Sequence, residues 1–220
     1  MIRNFYDTEG KYMISRDVNL NGHDYIDLGL PSGTLWSTMN VGATLPMDEG
    51  LYFQWGNIQG YTKDQIKTVK GKKKFAPDWS DYKWRRGYTF TKYDIAGATL
   101  ELKDDAAHIH MGGDWHMPTP DQITELIKCT TSEWRRWHLG VNGRLFISKK
   151  DNSKFIFIPA SGYAWNGSVH DIGDSGFVWS SMLYGNYVDY GQSLDFNPTY
   201  LYRFGDCNRY FGLSVRGVIG

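Results

Sequence analysis

Thr119-Pro120-Asp121-Gln122-Ile123-Thr124-Glu125-Leu126-Ile127 decides the fold class. Thr119 is placed to cap a helix, Pro120 fits the first helical position, and Gln122 completes a capping box. Ile123, Leu126 and Ile127 then share one face, which is predicted to pack against a sheet. The segments on either side carry a different period, so the chain reads as α+β.

Upstream, Leu102-Lys103-Asp104-Asp105-Ala106-Ala107-His108-Ile109-His110 runs into Gly112-Gly113, a helix followed by its stop signal. Earlier still, His23 to Leu30 and Thr34 to Met39 read as strands joined at Pro31-Ser32-Gly33, which makes a hairpin. Leu51 to Gly56 is a short aromatic segment. The stretch from Tyr61 to Tyr93 is too polar and irregular for more than loop with at most one short helix. Downstream of Gly143 the helical spacing disappears, and strands Arg144 to Ser148 and Lys154 to Ile158 flank the polar turn Lys149-Lys150-Asp151-Asn152-Ser153. Residues 1–21 read as a polar lead-in and residues 22–220 as one domain.

Lys+Arg and Asp+Glu balance at 24 each, so the basic footprint of a nucleic-acid binder is missing. The run Lys70-Gly71-Lys72-Lys73-Lys74 reads as a solvated loop. No apolar stretch is long enough to span a bilayer, and Met1 to Tyr12 lacks the layout of a signal peptide. Neither nucleic acid nor membrane insertion is therefore expected. The unusual figure is 16% aromatic, with nine Trp and fifteen Tyr, more than a core can hide. Beyond Lys154 neither Lys nor Glu recurs before Gly220, and Tyr, Asn, Asp, Ser and Gly take their place. That is the composition of antibody-like recognition loops, although a Gly/Tyr-rich β region without a partner has it too.

The segments Gly22-His23-Asp24-Tyr25-Ile26-Asp27-Leu28-Gly29-Leu30-Pro31-Ser32-Gly33-Thr34-Leu35-Trp36, Asn40-Val41-Gly42-Ala43, Tyr52-Phe53-Gln54-Trp55-Gly56, Gly112-Gly113-Asp114-Trp115-His116-Met117-Pro118-Thr119, Phe157-Ile158-Pro159-Ala160-Ser161-Gly162-Tyr163, Trp179-Ser180-Ser181 and Gly212-Leu213-Ser214-Val215-Arg216 follow one another in a family's order. Together they resemble the Fibrobacter-type major paralogous domain, a bacterial and phage domain with a C-type-lectin-like fold. The resemblance implies two helices packed on small antiparallel sheets, a long irregular C-terminal half and ligand binding through that half. It extends to the variable proteins of diversity-generating retroelements, in which the last two motifs bracket a rewritten segment, here about residues 179–216. Within the bracket Leu194 and Phe196 alternate with Ser193, Asp195 and Asn197, as a strand with one buried and one exposed face should. Trp179, Leu194, Phe196 and Val215 are expected to hold the core. The candidate ligand-binding residues are Tyr184, Asn186, Tyr187, Asp189, Tyr190, Asn197, Tyr200, Tyr202, Phe204, Asp206, Asn208 and Tyr210. The resemblance names no ligand; the expected target is a protein or glycan on a cell surface, and the expected place is a phage virion or bacterial surface. The alternative is a fixed surface adhesin or structural module without diversification, or an enzyme of unknown type on a formylglycine-generating-enzyme-like fold, and the oligomeric state stays open with a monomer slightly favoured.

The fold neighbourhood also includes the formylglycine-generating enzyme, whose chemistry needs reactive cysteines close together, and Cys207 stands alone in that region. One bridge between Cys129 and Cys207 stays open. His108 and His110 are two residues apart, on different faces of a helix and unsuited to joint metal binding. The acids Asp104-Asp105 and Asp171 with Asp174 read as helix-start and loop acids, and Asn197-Pro198-Thr199 lacks the carboxylates of a calcium-dependent sugar loop. No catalytic residue, metal or cofactor is expected.

Overall fold

The computed structural model describes residues 19–69, 72–75, 77–136 and 141–220. The expected hairpin forms as β1 (His23–Asp27) and β2 (Leu35–Asn40), antiparallel with Ile26 opposite Trp36. β1 stops short of Leu30 because the Asp27 carboxylate accepts the N–H of Gly29 at 2.7 Å and turns the chain. Between Tyr61 and Tyr93 the structure corrects the expectation of loop. A 3₁₀ turn at Lys63–Gln65 is followed by two short antiparallel ribbons, Lys67–Val69 with Lys72–Phe75 and Arg85–Arg86 with Thr89–Phe90. Lys70 and Gly71 of the basic run lie outside the described residues, and Lys72 to Lys74 belong to a strand.

The first helix is shorter than its sequence pattern. Leu102–Asp104 forms a separate 3₁₀ turn, because Asp105 accepts the N–H of His108 at 2.9 Å and starts α1 (Ala106–Met111) afresh. Gly112, at φ +70°, ends it as expected. α2 (Pro120–Cys129) carries the complete capping box, with Gln122 N–H on Thr119 Oγ1 at 3.2 Å and Thr119 N–H on Gln122 Oε1 at 2.9 Å. It bears Ile123 and Leu126 fully buried and Ile127 half-buried. A strand with no sequence signal, β3 (Thr130–Arg136), leaves α2 directly, the Thr130 hydroxyl donating to the carbonyl of Leu126 at 2.6 Å. β4 (Asn142–Ser148) and β5 (Phe155–Pro159) follow as expected, in a sheet ordered β5-β4-β3.

The C-terminal half is mostly strand, which corrects the expectation of long irregular structure. After a ribbon of Tyr163–Trp165 with Ser168–His170, β6 (Gly176–Leu183), β7 (Tyr190–Phe196) and β8 (Leu201–Asn208) form a sheet in that order. The last strand, β9 (Arg216–Ile219), returns to pair with β2, so the four-stranded sheet runs Asn19–Leu20, β1, β2, β9. The protein is thus a mixed α+β structure of small antiparallel sheets with two α-helices among the described residues.

β7 is central, and it is covered on both faces. Leu194 and Phe196 pack with Ile123 and Leu126 of α2 and with Ile156, Ile158 and Val178. Ser193, expected on an exposed face, has no accessible surface: Trp179 is its register partner on β6, and Trp55 and Trp179 crowd Gly191 two residues away. Their indole N–H groups are spent on Ser180 and Phe53 carbonyls at 3.0 and 2.7 Å. A Cβ on Gly191 would come within 2.8 Å of both rings, so the indoles fit over the strand only where no side chain stands. Arg216, fully buried, donates to Asn40 Oδ1 and to the carbonyls of Ser37 and Phe157, tying β9 to β2 and β5.

Phe196→Ala should cost about 3–5 kcal/mol, against about 1 kcal/mol for Thr119→Ala, since one leaves a cavity between α2 and β7 and the other removes a cap. Urea denaturation of the two variants measures the difference.

Candidate functional site

β6 and β7 are joined by a turn closed by Tyr184 N–H on the Tyr190 carbonyl at 3.0 Å. Asn186 and Asp189 are exposed on it, and Tyr187 is 59% exposed. The Tyr187 ring lies parallel to Tyr184 at 6.3 Å and edge-on to Tyr190 at 6.2 Å, which holds it upright in solvent. Pairing of β7 with β8 sets Asn208 opposite Tyr190. Two residues on, the Tyr210 ring meets Trp79 at 4.6 Å, and Tyr210 also hydrogen-bonds Trp165. Arg85 then rests on Trp79 at 4.2 Å and reaches toward Tyr88, which is 95% exposed. Trp79, Arg85 and Tyr88 are additions to the site, from a region that polarity alone marks as loop. Its one signal is density: Trp79, Tyr82, Trp84, Tyr88 and Phe90 fall within a dozen residues.

Arg209 lies beneath this surface with no accessible area. It donates to the Tyr82 hydroxyl at 2.8 Å and to the carbonyls of Tyr93, Val188 and Lys92 at 2.8, 3.0 and 3.2 Å. Its guanidinium also lies over Phe90 at 4.4 Å and Trp55 at 5.0 Å. Burial pulls its pKa down, and the Tyr82 oxygen and the more distant Asp189 oppose that pull. One side chain thereby fastens the 82–93 segment and the β6–β7 turn to the end of β8.

The structure does not bring all the candidate residues together. Tyr184, Asn186, Tyr187, Asp189, Tyr190, Asn208 and Tyr210 gather at the turn end of the sheet. Asn197, Tyr200 and Tyr202 sit at the opposite end of β7, about 20 Å away at 3.3 Å per residue. There Asn197 is a structural residue, its side-chain oxygen accepting from Thr199 N–H, the Thr199 hydroxyl and Tyr200 N–H at 2.8–3.0 Å. Arg144, buried, holds that turn through the Asn197 and Tyr200 carbonyls at 2.7 and 3.2 Å. Tyr200 is half-buried, stacked on Tyr202 at 4.9 Å and bonded to Ser175. Phe204 and Asp206 are exposed along the outer edge of β8. None of the candidate positions is fully buried.

Between the two ends lies a small polar cluster. The Asp195 carboxyl sits against Gly205 and accepts the Ser193 hydroxyl at 2.6 Å. Burial raises its pKa to about 7, opposed by that hydrogen bond and reinforced by Asp206. Cys207 is buried beside it, and burial together with the Asp195 charge pushes its thiol well up, so it stays protonated. Both cysteines are free. The remaining acids and histidines have local work. Asp104 binds Lys83, Lys92 and Tyr93, and Asp105 holds the N–H groups of His108 and Met117. His108 and His110 contact the carbonyls of Trp115 and Ile58. Among the described residues no group of three or more His, Cys, Asp or Glu is arranged to hold a metal ion, and no helix is long and apolar enough to cross a membrane.

Comparison with protein-family models, with curated proteins and with solved structures finds no match.

The pH dependence of stability follows from Asp195. Between about pH 4 and pH 7 the folded state holds a proton that the unfolded chain, with an ordinary carboxyl near 3.9, has released. Stability should therefore fall as the pH rises through that window and level off above it. Asp195→Asn should flatten the slope and exceed the wild type at pH 8 by about 2 kcal/mol, read from urea titrations at four pH values.

Proposed function

We propose that the protein is a non-enzymatic recognition protein of C-type-lectin-like fold, carried on a phage virion or bacterial surface, whose ligand surface is the aromatic turn end of the β6-β7-β8 sheet. The observation that carries this reading is the cluster itself. Tyr187 and Tyr88 stand exposed, Trp79 and Tyr210 lie between them, and all four are attached to a segment or strand that buried Arg209 fastens in place. Rigid aromatic rings lose little side-chain freedom on binding, and Asn186, Asn208 and Asp189 around them supply adaptable hydrogen bonds. The target is a protein or a glycan on a cell surface, since both present apolar faces edged with polar groups. Cys207 supports no nucleophilic role, being buried and held protonated.

The same layout suits a segment rewritten from gene to gene. The candidate positions are all exposed or half-buried, whereas Trp179, Ser180, Val215 and Arg216, which bracket them, have no accessible surface. Exchange at such positions alters the surface and leaves the core standing. A near-repeat of the coding sequence for 179–216 beside the gene, differing mainly at adenines, is the expected sign. Without one, diversification fails while binding stands.

A variant with Tyr184, Tyr187 and Tyr190 all changed to Ser should lose at most about 1.5 kcal/mol of stability. Its binding should weaken by at least about 30-fold, the loss of one hot-spot residue. Both proteins would be screened on a glycan array and a library of cell-surface proteins. If every wild-type signal survives in the variant, the aromatic end is not the ligand surface.

A further inference from the structure

β8 is the outer strand of its sheet, and among the described residues no strand pairs with its outer edge. Tyr202, Arg203 and Phe204 are consecutive exposed residues, at 61% for Tyr202 and 48% for Phe204. The cause is a bulge. Asp195 pairs with Tyr202 and Ser193 with Gly205, so β8 spends one residue more than β7 over the same step. Arg203 and Phe204 are thereby set beside Ile127 in the last turn of α2, where they line an open groove of about 300 Å³ with Leu201 and Tyr202. Among the described residues the backbone of residues 202–207 bonds only to β7, including Gln192 Nε2 on the Arg203 carbonyl at 3.5 Å. Arg203 lies over the Phe204 ring at 4.6 Å; among the described residues it is paired with no acid, and Asp206, exposed on the same strand, is paired with no cation.

We propose that this edge pairs antiparallel with β8 of a second copy of the chain, in a two-fold dimer whose sheet runs continuously from one copy into the other. The strand carries both halves of such a contact. It offers an exposed Phe204 and a groove of matching character beside it, and it bears one unpaired positive and one unpaired negative charge flanking Phe204 and Gly205. Antiparallel pairing about a two-fold through Gly205 sets Phe204 opposite Asp206 of the other copy and Arg203 one step along from that Asp206, within reach of its long side chain, so the charges meet twice under one symmetry axis. A partner strand of a single charge sign would satisfy one of them and repel the other. The contact also covers a row of free backbone groups that would otherwise template aggregation. The aromatic ends of the two copies then point in opposite directions along the shared sheet, giving a bivalent molecule instead of the monomer favoured from sequence.

Sedimentation equilibrium over a concentration series tests this. The wild type should move from one toward two copies per particle as concentration rises. Arg203→Asp and Asp206→Arg each set like charges face to face and should weaken association by at least about tenfold. The double variant, with the charges exchanged, should recover to within about threefold of the wild type. Thermal melts within a few degrees of the wild type establish that the variants are folded, as exposed positions should allow. A wild type that stays monomeric throughout, single variants that associate like the wild type, or a double variant as weak as either single one would each overturn the proposal.

Discussion

The guanidinium of Arg209 is the contact on which the aromatic end of the molecule depends. A charge with no accessible surface and no carboxylate in contact is tolerated because every direction of its fork meets an oxygen or a ring. The oxygens belong to Tyr82, to the adjacent Lys92 and Tyr93, and to Val188, so one side chain joins the 82–93 segment to the distant β6–β7 turn. Lysine, with a single ammonium, has no geometry for all four. The consequence is that residues 82–93 are tied to the end of β8 through these bonds.

Arg216 plays the corresponding part at the other side of the fold. It ties the last strand to β2 and to β5, so the chain's two halves meet through a second buried guanidinium that bonds Asn40 and two carbonyls. Trp55 and Trp179 sit over β7, with Gly191 leaving room for both rings. Trp55, Trp179, Arg209 and Arg216 are scaffold, and the exposed tyrosines stand on it. That division lets a surface differ in chemistry without a matching change in the core.

Much of the scaffold was legible in the sequence. Thr119, Pro120 and Gln122 specify α2 by local hydrogen bonding and fixed φ, and local signals survive any tertiary context. The β1–β2 hairpin and the β4–β5 pair are equally local, as is the stop at Gly112. Signals were absent where the cause was remote. β3 has no alternating pattern, and it is a strand because β4 is there to pair with it. Asp105, in an unbroken helical run, restarts the helix because its carboxylate also serves Met117 N–H. Ser193 reads as a solvent-facing residue, yet it is buried opposite Trp179 of β6.

The sequence by itself determined the α+β class, the main helix with its buried face, the identity of the core residues Trp179, Leu194, Phe196 and Val215, and the surplus of aromatic side chains in the last third of the chain. These follow from composition and short-range periodicity, which each residue carries with it. Only the tertiary structure decided which tyrosines are neighbours. It divided the candidate residues between two ends of one sheet and gave Asn197 to a turn. It also brought Trp79, Arg85 and Tyr88 to Tyr210 across more than a hundred residues of chain. Such contacts depend on strand order and on what a buried guanidinium can reach, and neither is a property of any local stretch.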